Sequence, residues 1–211
     1  MKKRILKYVI YSVIVIAAIA GAVGGFHLYR VSARNAEEMA QYSGSSVSVN
    51  VNLGKVLVVY YSLSGRTREI AELVQSKTGA DIFEIVPAEE IKSGISLYFN
   101  IRNDLKNGTY PALQGDIPNM EEYDVVFVGS PVWWYTVSTP VLAFLEKADF
   151  KGKKVVPFST QGSNAGTFLE DFVRSAKNAN VTGYLSFNNM GKEYDKAIDN
   201  KISVWLNGLA P

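Results

Sequence analysis

The chain has 211 residues, 47% of them hydrophobic, and a formal net charge of +2, enough for one ordinary packed domain and an appendage. Residues 1–54 carry six Lys or Arg against two acids and the remainder sixteen against eighteen, so the main part is mildly acidic and offers no footprint for nucleic acid. There is no cysteine and the one histidine is His27, which excludes Cys or His nucleophile systems, a Ser-His-Asp triad, a structural zinc and an iron–sulfur cluster, and leaves redox chemistry to a bound organic cofactor.

The first element is an uncharged run over residues 8–26, which as a helix covers about 28 Å, close to the hydrocarbon thickness of a bilayer. Lys2, Lys3, Arg4 and Lys7 precede it and Arg30 and Arg34 follow it, so the positive-inside bias keeps the amino terminus cytoplasmic and sends the main domain out of the cytoplasm. Two fates fit this segment. Unbroken length suits an uncleaved signal anchor, whereas Ala18-Ile19-Ala20 and Ala20-Gly21-Ala22 have the small-x-small form of a signal cleavage site, which would release a secreted protein. Absence of cysteine excludes a lipoprotein and suits an oxidising location. Gly21 and Gly25 form a small-xxx-small pair that marks either helix pairing in the membrane or the end of a signal. The expected organisation is a signal anchor over 1–30, a polar spacer over 31–54 whose first part continues the helix, and one domain over 55–211.

From Lys55 onward short β-branched runs alternate with helical patterns. Strands are expected at 56–61, 82–86, 125–129, 154–158 and 183–187, and helices at 65–77, 97–106, 140–147, 168–177 and 194–209. Five strands alternating with five helices indicate a parallel sheet covered on both faces. Thr167-Phe168-Leu169-Glu170 has capping-box spacing, and Trp205, with Ile202 and Leu206 at helical spacing, is expected to pack the last helix on the sheet. In such sheets ligands sit beyond the carboxyl ends of the strands, which directs attention to three loops.

The first, Ser62-Leu63-Ser64-Gly65-Arg66-Thr67, offers hydroxyls, a glycine turn and the positive end of a helix, a combination suited to a phosphate dianion. It lacks the Gly-Lys-Ser/Thr ending of a nucleoside-triphosphate loop and the three spaced glycines of a dinucleotide site. A terminal monophosphate fits better than a pyrophosphate, and the bland alternative is an ordinary loop with a Ser cap. The second, Gly129-Ser130-Pro131-Val132-Trp133-Trp134-Tyr135, puts three aromatic side chains in a connection that must meet solvent. A flat conjugated ring would bury them by stacking, and a hydrophobic latch or partner patch is the alternative. The third, Ser159-Thr160-Gln161-Gly162-Ser163-Asn164-Ala165-Gly166, is a polar turn rich in amides.

The order of residues from Val58 through Ser62, Gly65, Thr67 and Ala71 to Val74 resembles the amino-terminal signature of flavodoxins. The aromatic loop with its Pro131-Val132-Trp133-Trp134 sequence is similar to that family's flavin loop, and the resemblance extends to the carboxyl terminus. It implies an α/β three-layer sandwich with a five-stranded parallel sheet of order 2-1-3-4-5, and flavin mononucleotide (FMN) as cofactor. By the same resemblance Ser62, Ser64, Gly65, Arg66 and Thr67 hold the phosphate. Pro131, Val132, Trp133 and Trp134 meet the ring edge and cover a ring face, and Thr160, Gln161 and Gly162 serve its carbonyl and imide edge. Arg66 departs from the short polar residue common there, no long insertion splits the fifth strand, and the membrane segment is foreign to soluble flavodoxins. The implied function is a membrane-tethered electron carrier. A flavin-dependent NAD(P)H or quinone reductase on the same fold, and a non-catalytic interaction module, are the alternatives.

Overall fold

Val56-Leu57-Val58-Val59-Tyr60 is apolar at every position because both of its faces are covered. Val56, Val58 and Tyr60 enter one core cluster and Leu57 and Val59 the other, each 4% exposed or less. In the computed structural model, which describes residues 2–188 and 192–209, this strand is β1 (Val56–Tyr60), preceded by α1 (Lys2–Ala40). Then follow α2 (Arg66–Thr78), β2 (Asp81–Glu84), α3 (Ile95–Asn107), a 3-10 turn at Met120–Glu122, β3 (Val125–Trp133), β4 (Thr136–Val137) and α4 (Thr139–Lys147). The chain continues through β5 (Lys154–Gln161), α5 (Phe168–Ser175), β6 (Asn180–Val181), β7 (Leu185–Asn188) and α6 (Lys192–Asn207).

The sheet runs β2-β1-β3-β5-β6 with every one of these pairs parallel. One face carries α2, α6 and the distal part of α1, and the other carries α3, α4 and α5, which is a three-layer sandwich. The order differs from a plain 2-1-3-4-5 sheet in two details. β4 is a two-residue return that pairs antiparallel with β3, and the fifth strand is broken into β6 and β7, both parallel to β5. Gly183, expected to open that strand, lies in the break at φ 64°. A Cβ there would run into Leu209. Trp205 packs edge-on against Phe127, Phe158 and Phe187 and donates its indole N–H to the Gly183 carbonyl, so it belongs to the core.

α1 does not stop where its apolar run ends. Val31, Asn35 and Met39 lie one turn apart on a face of α1 and are 1%, 8% and 6% exposed. Residues 41–54, expected to be a semi-flexible spacer, run along α6 instead: Val47 N–H donates to Asn200 Oδ1, Asn50 N–H to Asn207 Oδ1, and Val49, Val51 and Leu53 pack on the core.

Candidate functional site

Three loops meet at the carboxyl edge of the sheet. The first begins after Tyr61, whose N–H donates to the Gly129 carbonyl at 3.1 Å. Gly65 takes φ 91°, a left-handed conformation that only glycine adopts without strain. Its N–H donates to Ser62 Oγ at 3.1 Å. No side chain caps the 13-residue helix that follows, so its first amides and its positive end face the loop. Thr67 is 1% exposed and Thr160 4%, and their hydroxyls lie 2.9 Å apart, tying the first loop to the end of β5. Ser64 is exposed and Ser62 half-buried. The Arg66 guanidinium meets Glu69 Oε2 at 3.2 Å, an exposed pair one helical turn apart.

The aromatic stretch is mostly strand. Pro131, Val132 and Trp133 extend β3, with Pro131 opposite Thr160. Only Trp134 and Tyr135 turn, between the paired residues Trp133 and Thr136. Their φ values of 49° and 64° match a type I′ hairpin turn, a conformation that favours Asn-Gly and costs bulky residues on the order of 1–2 kcal/mol each. The turn is held from outside: Thr167 N–H donates to the Tyr135 carbonyl at 2.8 Å, and Thr136 Oγ1 donates to Asp171 Oδ2 at 2.5 Å. Trp133 meets Tyr61 edge-on at 5.6 Å. Trp134 faces α3, where its ring lies 4.1 Å from that of Tyr98, its indole N–H donates to the Tyr98 carbonyl at 2.7 Å, and the Arg102 guanidinium sits over it at 5.2 Å.

Thr160 and Gln161 end β5, and Gly162 opens the third loop. A buried relay fixes Gln161: Ser159 Oγ donates to Gln161 Oε1 at 3.0 Å and lies 2.7 Å from the Tyr184 hydroxyl. This leaves the amide nitrogen of Gln161 as the donor end toward the loop. The capping box is not formed. Thr167 starts α5 without a side-chain bond to its backbone, and its hydroxyl donates to Asp171 Oδ2 at 2.6 Å instead. Burial pulls the Asp171 carboxyl upward, but the Thr136 and Thr167 hydroxyls and Arg174 outweigh it and hold the group below the ordinary carboxylate value.

Cavities flank this edge. One of about 430 Å³ lies under Trp133 between α3 and the segment around Ile91 and Tyr110. A second, about 310 Å³, adjoins Ser62 and Leu63, and beside it burial and the nearby Glu84 carboxylate push the Tyr61 phenol up to about 12. A third, about 240 Å³, is walled by Arg34, Asn35 and Glu38 of α1 on one side and by Gln161 and Ser163 on the other. Beneath it Lys201, 1% exposed, donates to Glu38 Oε1 at 2.5 Å and to the Ser186 carbonyl at 2.7 Å. Burial holds its ammonium below the ordinary lysine value, with Glu38 offsetting part of the shift.

The flavodoxin family profile matches residues 55–202. The chain belongs to the flavodoxin family. No curated protein matches it, but solved structures do. This flavodoxin is similar to a flavoprotein from Lactobacillus acidophilus NCFM crystallised in complex with FMN, at 27% identity and a TM-score of 0.57, over 63% of this chain and 92% of that one. The apo form of the flavoprotein from that organism matches at 26% identity and a TM-score of 0.51, over 63% and 91%. A flavoprotein candidate from Bacteroides eggerthii DSM 20697 matches at 26% identity and a TM-score of 0.56, over 74% and 97%.

Within this flavodoxin the residues expected at the site fall into one edge: Ser62, Ser64, Gly65, Arg66 and Thr67 around the start of α2, Pro131 to Trp134 across β3 and its turn, and Thr160 to Gly162 at the end of β5. Tyr61, Tyr98, Asn35 and the Ser159–Tyr184 relay escape the sequence reading. Tyr61 and Tyr98 are masked as members of apolar runs, and a polar residue on a helix leaving a membrane gives no signal that it will be buried.

Proposed function

We propose that this flavodoxin is held in the membrane by α1 with its amino terminus cytoplasmic, and that its domain lies outside the cytoplasm, binds FMN and transfers electrons. The observation that carries the FMN reading is the uncapped start of α2 with Gly65 left-handed and Thr67 joined to Thr160, which puts a monophosphate-sized donor set directly beside the two loops that flank an aromatic pocket. Amides of the first turn with the hydroxyls of Ser62, Ser64 and Thr67 would hold the phosphate. Trp133 would border the ring, and the Gln161 amide and the Gly162 backbone would meet its polar edge. FMN supplies one- and two-electron transfer when bound, and the chain contributes position, packing and exclusion of water. Tethering is supported by an apolar stretch of α1 that no other described residue covers.

The cavity of about 430 Å³ beside Trp133 favours a second reading, a flavin-dependent NAD(P)H or quinone reductase with its substrate in that space. FMN titration of the purified full chain in detergent decides the primary reading. The protein is expected to be yellow, or to quench added FMN fluorescence at one equivalent, and a colourless chain that leaves FMN fluorescence unchanged refutes it. Steady NAD(P)H oxidation with quinone acceptors would favour the reductase.

A further inference from the structure

The path of the chain from α1 into the domain has a direction relative to the sheet. Glu38 meets Lys201, midway along α6, where Lys201 also reaches the Ser186 carbonyl, opposite Ser159 near the end of β5. The Tyr42 carbonyl accepts from Asn200, the Ser48 carbonyl accepts from Asn207, and Lys55 N–H donates to Asp124. Asp124 directly precedes β3, and Leu209, just after α6, accepts from Lys154 at the first residue of β5. Residues 38–55 therefore run from the loop edge of the sheet to its opposite edge.

Followed backward, α1 leaves the domain past the loop edge. Glu38 lies by Ser186, whereas Arg34 and Asn35 share a cavity with Asn188 and with Gln161, Ser163 and Asn164. Val31 is the last buried position toward the amino terminus, and every described residue from Arg4 to Arg30 is exposed. From Phe26, where the uncharged run ends, to Val31 the helix rises about 7.5 Å, comparable with the thickness of a headgroup layer of roughly 5–8 Å. The domain thus begins where the headgroups end, and the end it presents is the one carrying the three loops.

The rim of that edge carries a group of exposed aromatic side chains. Tyr98, Phe99 and Tyr135 are 54%, 57% and 57% exposed. They form one group through the Tyr98–Phe99 and Tyr98–Trp134 ring contacts, and Tyr135 joins the third loop through Thr167. Tyr98 and Tyr135, each with an apolar ring and a polar hydroxyl tip, suit headgroup depth, and Phe99 adds apolar surface beside them.

We propose that the loop edge of the domain rests on the lipid headgroup layer of the membrane that α1 enters, with Tyr98, Phe99 and Tyr135 at the contact. The fit is to a lipid surface, and an electron partner served by this edge lies in or on the same membrane. The inference rests on the tethered reading above. The absence of native cysteine permits single spin labels: Tyr135→Cys and Phe99→Cys at the rim, and Lys177→Cys, exposed beside β6 at the opposite edge. The full chain, apo, is reconstituted in phosphatidylcholine–phosphatidylglycerol vesicles containing a lipid with a nickel-chelating headgroup. Nickel is expected to enhance relaxation of either rim label at least threefold more than that of the Lys177→Cys label. Equal or reversed enhancement in a chain that resists alkaline extraction overturns the orientation and leaves the tether standing. A chain that alkaline extraction releases from the vesicles overturns both, and neither outcome bears on FMN affinity.

Discussion

Replacing Glu38 with Gln removes a carboxylate that the structure places against Lys201, and its consequence follows from the burial of the two groups. Lys201 is 1% exposed, so its ammonium has lost nearly all of its hydration, while the Glu38 side chain is 38% exposed. Breaking a fully buried ion pair costs about 3–5 kcal/mol, mostly the penalty of the charge left behind. Because Glu38 is more than a third exposed, solvent screening reduces this to about 2 kcal/mol. For a domain of this size that corresponds to a fall of about 4–8 °C in the thermal midpoint. Lys201→Met, which keeps the stem and removes the charge, is expected to lie within about 1 kcal/mol of the wild type. The double variant E38Q/K201M should resemble K201M, giving a coupling of about 1–2 kcal/mol.

The pH dependence supplies a sign. The folded-state pKa of Lys201 is lowered from its ordinary value of 10.5, so between the folded value and 10.5 the unfolded chain binds more protons and stability rises with pH. The penalty is fully present below the folded value, and the wild type should gain on K201M as pH rises through that window. Thermal melts of the full chain in detergent, followed by tryptophan fluorescence at several pH values, measure both effects. A loss below about 0.3 kcal/mol for E38Q at neutral pH, within the range of an ordinary surface change, refutes the argument that this pair fastens α1 to the domain.

Two further outcomes follow from the loops. Thr67→Ala is expected to weaken FMN binding about tenfold or more, since a hydrogen bond to a charged group contributes roughly 1.5–3 kcal/mol, and Ser64→Ala to weaken it by a similar factor; unchanged affinity in a fluorescence titration refutes the phosphate assignment. Tyr135→Gly is expected to raise stability by about 1 kcal/mol, because glycine takes φ 64° without strain. Tyr135→Ala should bring no such gain, and equal denaturation midpoints for the two would show that the turn is unstrained.

The layered fold was legible because parallel strands buried on both faces write their burial directly into apolar runs. What the runs do not mark is where strands end. β3 continues past Gly129 and β5 past Phe158 through Ser130, Ser159, Thr160 and Gln161, polar residues that read as loop and yet are 8% exposed or less. Three of the four are stabilised by a partner distant in sequence or across a turn: Ser130 by Ser138, Ser159 by Tyr184, Thr160 by Thr67. Buried polar residues of this kind depend on tertiary pairing, which a periodicity argument does not contain. The broken fifth strand has the same origin, since Gly183 is set by the approach of Leu209 from the end of α6.

The docking of α1 was the least legible feature, and the reason separates it from the rest. Its buried face sets Asn35, whose amide nitrogen has no partner among the described residues, between Val31 and Met39, and an ion pair from Glu38 to Lys201 joins it to α6. In sequence such a face looks solvated. An uncompensated buried amide is unfavourable in a surface whose only role is to bind a helix, since an apolar residue of similar size would pack there without the desolvation cost. Asn35 also walls the cavity that Gln161 and Ser163 share, which brings α1 to the third loop. On the tethered, FMN-binding reading proposed above, the same helix segment would have two tasks, fixing the domain relative to a membrane and bordering its ligand site. A change in one is expected to be felt in the other.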